Sequence, residues 1–318
     1  MKIALLEPLG VSGELIEKLA APLKQAGHEF VYYDTKTADP EELKRRSAGC
    51  DAVMIANNPY PACVVESAKE LKLLNVAFTG IDHVGLDACK KQGVTVCNAA
   101  GYSDSTVAEL AIGMALALLR KMPECGQAVR KGGTSAGLRG REICGRTVGI
   151  IGVGRIGLRT ASLFRAFGAR VLGCDIHPGE AAKQAGVEFV SLETLMKESD
   201  IVSLHTPNNA STRGLISREL LFSMKKDALF INCARGPIVD NAALADALNA
   251  GAIAGAAADV FDMEPPLPAD YPLLHAKNII LTPHVAFLSD ESMIRRAEIA
   301  FGNLFAWLAG KPDNVCEL

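Results

Sequence analysis

The sequence predicts an α/β protein of two Rossmann-like lobes, each built on a parallel sheet. Three observations carry that prediction. Short apolar runs alternate with helix-compatible stretches almost throughout the chain, the rhythm of βα units. The alternation is interrupted once, by the Gly-rich basic segment "RKGGTSAGLRGREICGR". The length, 318 residues, is about twice the ~150 residues of a common domain.

In the first lobe the runs "KIALL", "HEFVYY", "DAVMIA", "KLLNVAF" and "VTVCN" read as strands. Their near-continuous apolar character is that of strands covered on both faces. A helix is expected from Ser103 to Lys121. Its apolar stretch, Leu110 to Leu119, lies between Glu109 and Arg120 and is far below the ~20 residues of a membrane span, so it reads as a buried helix. After the Gly-rich break, "TVGIIG", "RVLGCD", "DIVSLH", "ALFINC", "IAGAAADV" and "NIILTP" form a second alternation. The last helix, Glu291 to Leu308, follows the completed second sheet and is expected to cross back to the first lobe. The first lobe is then discontinuous, residues 1–99 and 286–318, and the second spans 100–285.

Composition excludes several classes. With 49% hydrophobic residues, 22% charged and a net charge of −3, the chain is neither disordered nor fibrous, and nucleic acid is not an expected partner. Nine scattered cysteines show no metal-ligand spacing, so no metal and a reducing cytoplasmic setting are expected. The opening "MKIALLEPLG" is too short an apolar run for a signal-peptide core.

The strongest local signal is "TVGIIGVGRIGLRTASLF", a β run that enters Gly152-Val-Gly154-Arg-Ile-Gly157 and leaves as a helix. Gly152 permits the tight turn, Gly154 lets a pyrophosphate approach the backbone, and Gly157 allows helix and strand to close up. The helix N-terminus offers unpaired N–H groups and partial positive charge to phosphate. Such glycines also mark ordinary turns, but here the next strand, "RVLGCD", ends in Asp175. An acid there accepts the ribose hydroxyls and repels a 2′-phosphate, so NAD is expected over NADP, and Ile176-His177-Pro178 adds no arginine. Asp175 as a simple helix cap is the alternative.

Three more residues follow second-lobe strands, where open α/β sheets bind ligands: Arg235, Glu264 and His284. A nicotinamide enzyme reducing a carbonyl needs a cation to polarise it, an acid to protonate the alkoxide, and a group to hold that acid. Singly, each has a plainer reading: Arg235 as a turn residue before Gly236-Pro237, Glu264 as a solvated carboxylate in "DMEPPLP", His284 as a structural histidine.

In combination the segments "TGIDHVGLDACKKQGVTVCN", "GYSDSTVAELAIGMALALLRK", "TVGIIGVGRIG", "LHTPNNASTRGLI", "FINCARGPIVDNAALADAL", "GAAADVFDMEPP" and "LTPHVAF" make the chain resemble the D-isomer-specific 2-hydroxyacid dehydrogenases over nearly its whole length. The resemblance implies a discontinuous, flavodoxin-like substrate domain and an NAD-binding Rossmann domain. It implies that Arg235 binds and polarises a 2-oxoacid, that His284 is the general acid/base, and that Glu264 holds His284 and favours its protonated form toward neutral pH. It places Thr106, Arg155, Ile156, Asp175, Thr206, Cys233 and Ala234 at the NAD site with Asp259 facing the nicotinamide carboxamide. Thr79, Gly80 and Ile81 become the loop that receives the substrate carboxylate. The helix from Ser103 resembles the family's dimer-forming helix, so a homodimer is expected.

Within the family the chain is most like the phosphoglycerate dehydrogenase branch but departs from it. Asn57, Asn58, Val76 and Phe78 stand where phosphate-handling members tend to carry arginines, which favours hydroxypyruvate, glyoxylate or pyruvate over phosphohydroxypyruvate. Gly85 replaces a usual aspartate, and Ala286-Phe287 a usual Gly-containing pair. Glu264 argues against formate dehydrogenase activity, which uses glutamine there. NAD-binding co-repressors of the same fold, which act as interaction proteins, remain the alternative from another class.

Overall fold

Strands covered by helices on both faces need apolar side chains on both, and the Ile, Val, Leu and Ala runs supply them. The structure is a computed structural model that describes residues 1–318. The chain divides into two units, Met1–Ser103 with Leu288–Leu318, and Asp104–Phe287.

The first unit carries strands β1 (Lys2–Leu5), β2 (Glu29–Tyr32), β3 (Ala52–Ile55), β4 (Leu73–Val76) and β5 (Thr95–Asn98). They pair in parallel in the order β2-β1-β3-β4-β5, which is the flavodoxin-like order. The helix Asp290–Leu308 covers this sheet. Ser289 caps it, with reciprocal bonds between Ser289 and Ser292. Ala297, Ala300, Phe301 and Leu304 join Ile3, Leu5, Met54 and Leu73 in one core. Two buried amides fix the helix: Asn75 Nδ2 donates to the Ala300 carbonyl at 2.6 Å, and Asn303 Nδ2 to the Asn98 carbonyl at 2.8 Å. Buried polar groups must be paired, so these bonds select one seating of an otherwise apolar face.

Gly85 has a steric reason to be glycine. A Cβ there would lie 2.5 Å from the Ala62 nitrogen, because the helices Ala62–Ser67 and Leu86–Gln92 approach at that point. An aspartate, usual in the family, has no room in this packing.

The second unit carries β6 (Thr147–Ile151), β7 (Arg170–Cys174), β8 (Glu188–Phe189), β9 (Ile201–Leu204), β10 (Leu229–Asn232), β11 (Gly255–Ala258) and β12 (Ile279–Leu281). All pair in parallel in the order β12-β11-β10-β9-β6-β7-β8. The order reverses at β6, between β7 and β9, so the crevice beyond the carboxyl end of β6 is the topological switch point where ligands bind in such sheets. The helix Asp104–Leu119 packs on the helix Arg155–Ala166 and on β10 and β11. Val107, Ala111 and Ala115 meet Ala161 and Phe164 there, and the three alanines let the elements approach closely. Two elements go beyond the sequence expectation, the two-residue edge strand β8 and the helix Met122–Arg130, which buries none of its residues. No helix is long and apolar enough to cross a membrane.

Candidate functional site

The chain between β6 and the helix Arg155–Ala166 turns as its glycines predict. Gly152 has φ +84°, and a Cβ on it would lie 2.8 Å from Thr206 N. A Cβ on Gly157 would lie 2.0 Å from the Gly152 carbonyl oxygen. The helix starts at Gly154 with no side-chain cap and no acidic residue in its first turn, so its leading N–H groups and positive end are left for an anion. Asp175 ties this turn to β7: its Oδ2 accepts from Val153 N at 2.7 Å and its Oδ1 from His177 N at 2.8 Å. Cys233 and Ala234 are buried at the end of β10, and Ile156 packs partly into the core beneath the turn. Arg155 is mostly exposed, with its Nε 2.8 Å from Asp104 Oδ2. Thr106 lies in the first turn of the helix Asp104–Leu119.

After β9 the chain holds two buried oxygens with no partner, Thr206 Oγ1 and Asn208 Oδ1. Buried polar atoms are rarely left unsatisfied, and two at a switch point fit a polar ligand. Thr206 was expected; Asn208 was not, although the motif containing it was. A dinucleotide fits these residues on four counts: an uncapped helix end, glycines where side chains would collide, an acid at the end of β7, and orphaned oxygens after β9.

The remaining groups sit beyond β10, β11 and β12. Arg235 is extended (φ −149°), and Asn232 holds its segment, donating through Nδ2 to the Arg235 carbonyl at 3.1 Å and accepting from Ala234 N at 3.0 Å. His284 follows β12 in the left-handed region, φ +54°. A non-glycine residue there is strained, and the neighbours must impose it. Asp259, fully buried after β11, does so. Its backbone carbonyl accepts from His284 N at 2.8 Å, and its carboxylate accepts from Thr282 Oγ1, from Val285 N at 2.9 Å and from Ala286 N at 2.8 Å. Burial pushes the Asp259 carboxyl up while these bonds pull it down. Sequence reasoning assigned Asp259 to the carboxamide alone and missed this grip on the His284 turn, because the alternation shows that an acid ends β11 but not which amides it will meet.

His284 Nδ1 lies 2.8 Å from Glu264 Oε1 and 3.1 Å from Oε2. Phe287 stands edge-on to the imidazole, ring centroids 5.4 Å apart at 87°. The Ala286-Phe287 departure therefore has two local uses: Ala286 is buried and supplies an amide to Asp259, and Phe287 walls one side of the His284 ring.

In the first unit, Thr79, Gly80 and Ile81 form a half-buried loop beyond β4, where the Thr79 carbonyl accepts from Asn98 Nδ2 at 2.9 Å. Nearby loops are also tied down. Glu7 is buried, and its Oε1 accepts from Ala56 N at 2.7 Å and Asn58 N at 3.1 Å; burial pushes this carboxyl up. Asn58 Nδ2 donates to the Thr37 carbonyl and Lys36 Nζ to Asn57 Oδ1. Val76 and Phe78 are buried, Phe78 packing on Tyr102 and His83. No cluster of side chains suited to a metal ion occurs.

Residues 112–286 match the family model described as D-isomer specific 2-hydroxyacid dehydrogenase, NAD binding domain. The chain belongs to the D-isomer specific 2-hydroxyacid dehydrogenase family. A glyoxylate reductase of Thermofilum pendens is 38% identical over 293 residues, 89% of this chain and 86% of that one. A glycerate dehydrogenase of Methylorubrum extorquens is 38% identical over 306 residues, 91% and 92% of the two chains. Among solved structures, an acyclic imino acid reductase, Bsp5, in complex with NADPH and D-Arg superposes with a TM-score of 0.90 at 30% identity, covering 100% of both chains. As a member of this family the chain is an NAD-dependent oxidoreductase that interconverts 2-oxoacids and D-2-hydroxyacids. The same fold carries NADPH in that neighbour, so cofactor choice within it rests on local residues.

Proposed function

We propose that the enzyme reduces a small, unphosphorylated 2-oxoacid, of the hydroxypyruvate or glyoxylate type, with His284 as proton donor. The observation that carries this reading is the 2.8 Å contact between His284 Nδ1 and Glu264 in a turn whose strained geometry Asp259 imposes. Glu264 accepts a hydrogen bond from Nδ1–H, so Nε2 is the nitrogen that hands a proton to substrate. Arg235 draws electron density from the 2-oxo group and pairs with the carboxylate. On the family resemblance Thr79, Gly80 and Ile81 are assigned to the substrate carboxylate, while the N–H groups after Gly154 would hold pyrophosphate and Asp175 the ribose hydroxyls. NADH, when bound, supplies the hydride that adds to C2. The proton from His284 then completes the hydroxyl, so the oxoacid gains one hydride and one proton and leaves as the hydroxyacid.

The names of the two relatives, a glyoxylate reductase and a glycerate dehydrogenase, favour small unphosphorylated acids. So does the first unit, where Asn58 is locked in hydrogen bonds and Phe78 is buried at positions expected to carry arginine in phosphate-handling relatives. One cation, Lys36, does reach Asn57. Oxidation of NADH should therefore be followed with hydroxypyruvate, glyoxylate, pyruvate and phosphohydroxypyruvate. Turnover of the small acids well above the phosphorylated one is expected. A preference for phosphohydroxypyruvate would overturn the substrate reading, and NADH binding without turnover of any 2-oxoacid would favour the interaction-protein reading.

We infer further that the enzyme is a homodimer in the cytoplasm. The helix Met122–Arg130 buries none of its own residues and leaves Met122 and Val129 exposed, the condition of an element awaiting a partner surface. All nine cysteines are free thiols, which suits a reducing compartment. Light scattering on the purified protein and fractionation of the source cells test the two statements.

A further inference from the structure

We infer that Asp262 is a positioning residue, the point at which Asn241 and Tyr271 lock the Glu264 loop to the Arg235 loop. The Glu264 side chain is 71% exposed, and the loop around it is rich in proline and open to water, so the contact with His284 does not by itself fix where the carboxylate sits. Two residues earlier the loop is anchored. Asp262 Oδ1 accepts from Asn241 Nδ2 at 2.8 Å and Oδ2 from the Tyr271 hydroxyl at 2.9 Å.

Both donors are rigid. Asn241 is 4% and Tyr271 6% exposed, and the Tyr271 ring stands edge-on to Phe261, 5.9 Å between centroids. Hydrogen bonds to a carboxylate are about twice as strong as neutral ones, and buried, pre-set donors spend little entropy in making them. Burial raises the Tyr271 phenol, which keeps it a donor.

The same Asn241 amide donates to the Gly236 carbonyl at 3.2 Å, next to Arg235. At that point the loops touch backbone to backbone: a Cβ on Gly236 would fall 1.9 Å from the Phe261 carbonyl carbon. One buried amide therefore binds both loops, and the spacing between the cation at 235 and the acid's partner at 264 is set behind the site. Through these bonds Asn241 and Tyr271 hold Asp262 and Gly236, the residues that stand two before Glu264 and one after Arg235.

This rests on the reading of Glu264 as the partner of His284 in proton transfer, and the test separates the two. Asp262→Ala, Asp262→Asn, Tyr271→Phe and Glu264→Gln, with the double variant Asp262→Ala/Glu264→Gln, would be assayed with NADH and hydroxypyruvate beside NADH binding by fluorescence. Misplacing a reacting group by about 1 Å can cost ~10²-fold, so Asp262→Ala should lower kcat by about 10- to 100-fold with NADH binding intact. Asp262→Asn, which keeps one acceptor, and Tyr271→Phe should lose less. In the Glu264→Gln background, Asp262→Ala should cost almost nothing more, since residues acting through one partner are non-additive. If Glu264→Gln is impaired and Asp262→Ala is not, or if the two losses multiply, the positioning role is overturned while the Glu264 reading stands. If Glu264→Gln turns over like the parent, the Glu264 reading falls and takes this one with it.

Discussion

At the scale of single residues, the site depends on a histidine held where histidines seldom sit. His284 at φ +54° is kept there by four bonds to Asp259, and its ring is trapped between Glu264 and Phe287. Removing the ring should cost what general acid/base catalysis supplies. His284→Ala is expected to lower kcat by ~10² to 10⁴ while NADH binding survives, and unchanged turnover would dismiss His284 as proton donor. Gly157 is bound by sterics instead of chemistry. With 2.0 Å between its would-be Cβ and the Gly152 oxygen, Gly157→Ala should push the helix away from the turn and abolish NADH binding; a variant that still quenches protein fluorescence with NADH would refute that. The sequence singles out both positions, Gly157 by spacing and His284 by its company, and the structure sets the first against the Gly152 carbonyl and the second against Glu264. Asp259's grip, Asn208 and the Asn241–Asp262–Tyr271 set were not legible there, because they are contacts between segments far apart in sequence and no local pattern encodes them.

At the scale of elements, most strands and the two long helices could be read from the chain, since apolar runs that must be buried on both faces leave a strong signal. The exceptions have physical causes. β8 is two residues long at a sheet edge, too short for any alternation to register. The helix Met122–Arg130 buries none of its residues and contains Pro123 and Gly126, both poor helix formers. The helix Asp290–Leu308 is the opposite case, with Phe301 fully buried against Phe30 at 5.8 Å between ring centroids. Phe301→Ala should destabilise the first unit by ~3 to 5 kcal/mol, measured as a drop in the unfolding midpoint under denaturant; a loss under about 1 kcal/mol would mean the helix is seated by its amides alone.

At the scale of the whole molecule, stability should depend on pH through a histidine outside the Arg235, Glu264 and His284 set. His205, at the end of β9 beside Ser203, is pushed down to about 4 by its withdrawal from water, against 6.5 for an ordinary histidine. A folded-state value below the unfolded one stabilises above the unfolded pKa, and that contribution is lost as pH falls from 6.5 toward about 4. Between those values the parent should lose more stability on acidification than His205→Gln does, in denaturant titrations at pH 7 and 4.5. Equal losses would show that His205 is already charged in the folded protein.

The seating of the helix Asp290–Leu308 on the sheet of residues 2–98 also imposes an order on synthesis. Domains made on the ribosome tend to fold as they emerge, N-terminal ones first. Here the first hundred residues leave the tunnel without the helix that covers their sheet, and all of Asp104–Phe287 must follow before it appears. The segment made first is completed last. Until then the core that Ile3, Leu5 and Leu73 share with Ala297, Phe301 and Leu304 is incomplete, and the nascent chain exposes apolar surface that the folded protein buries.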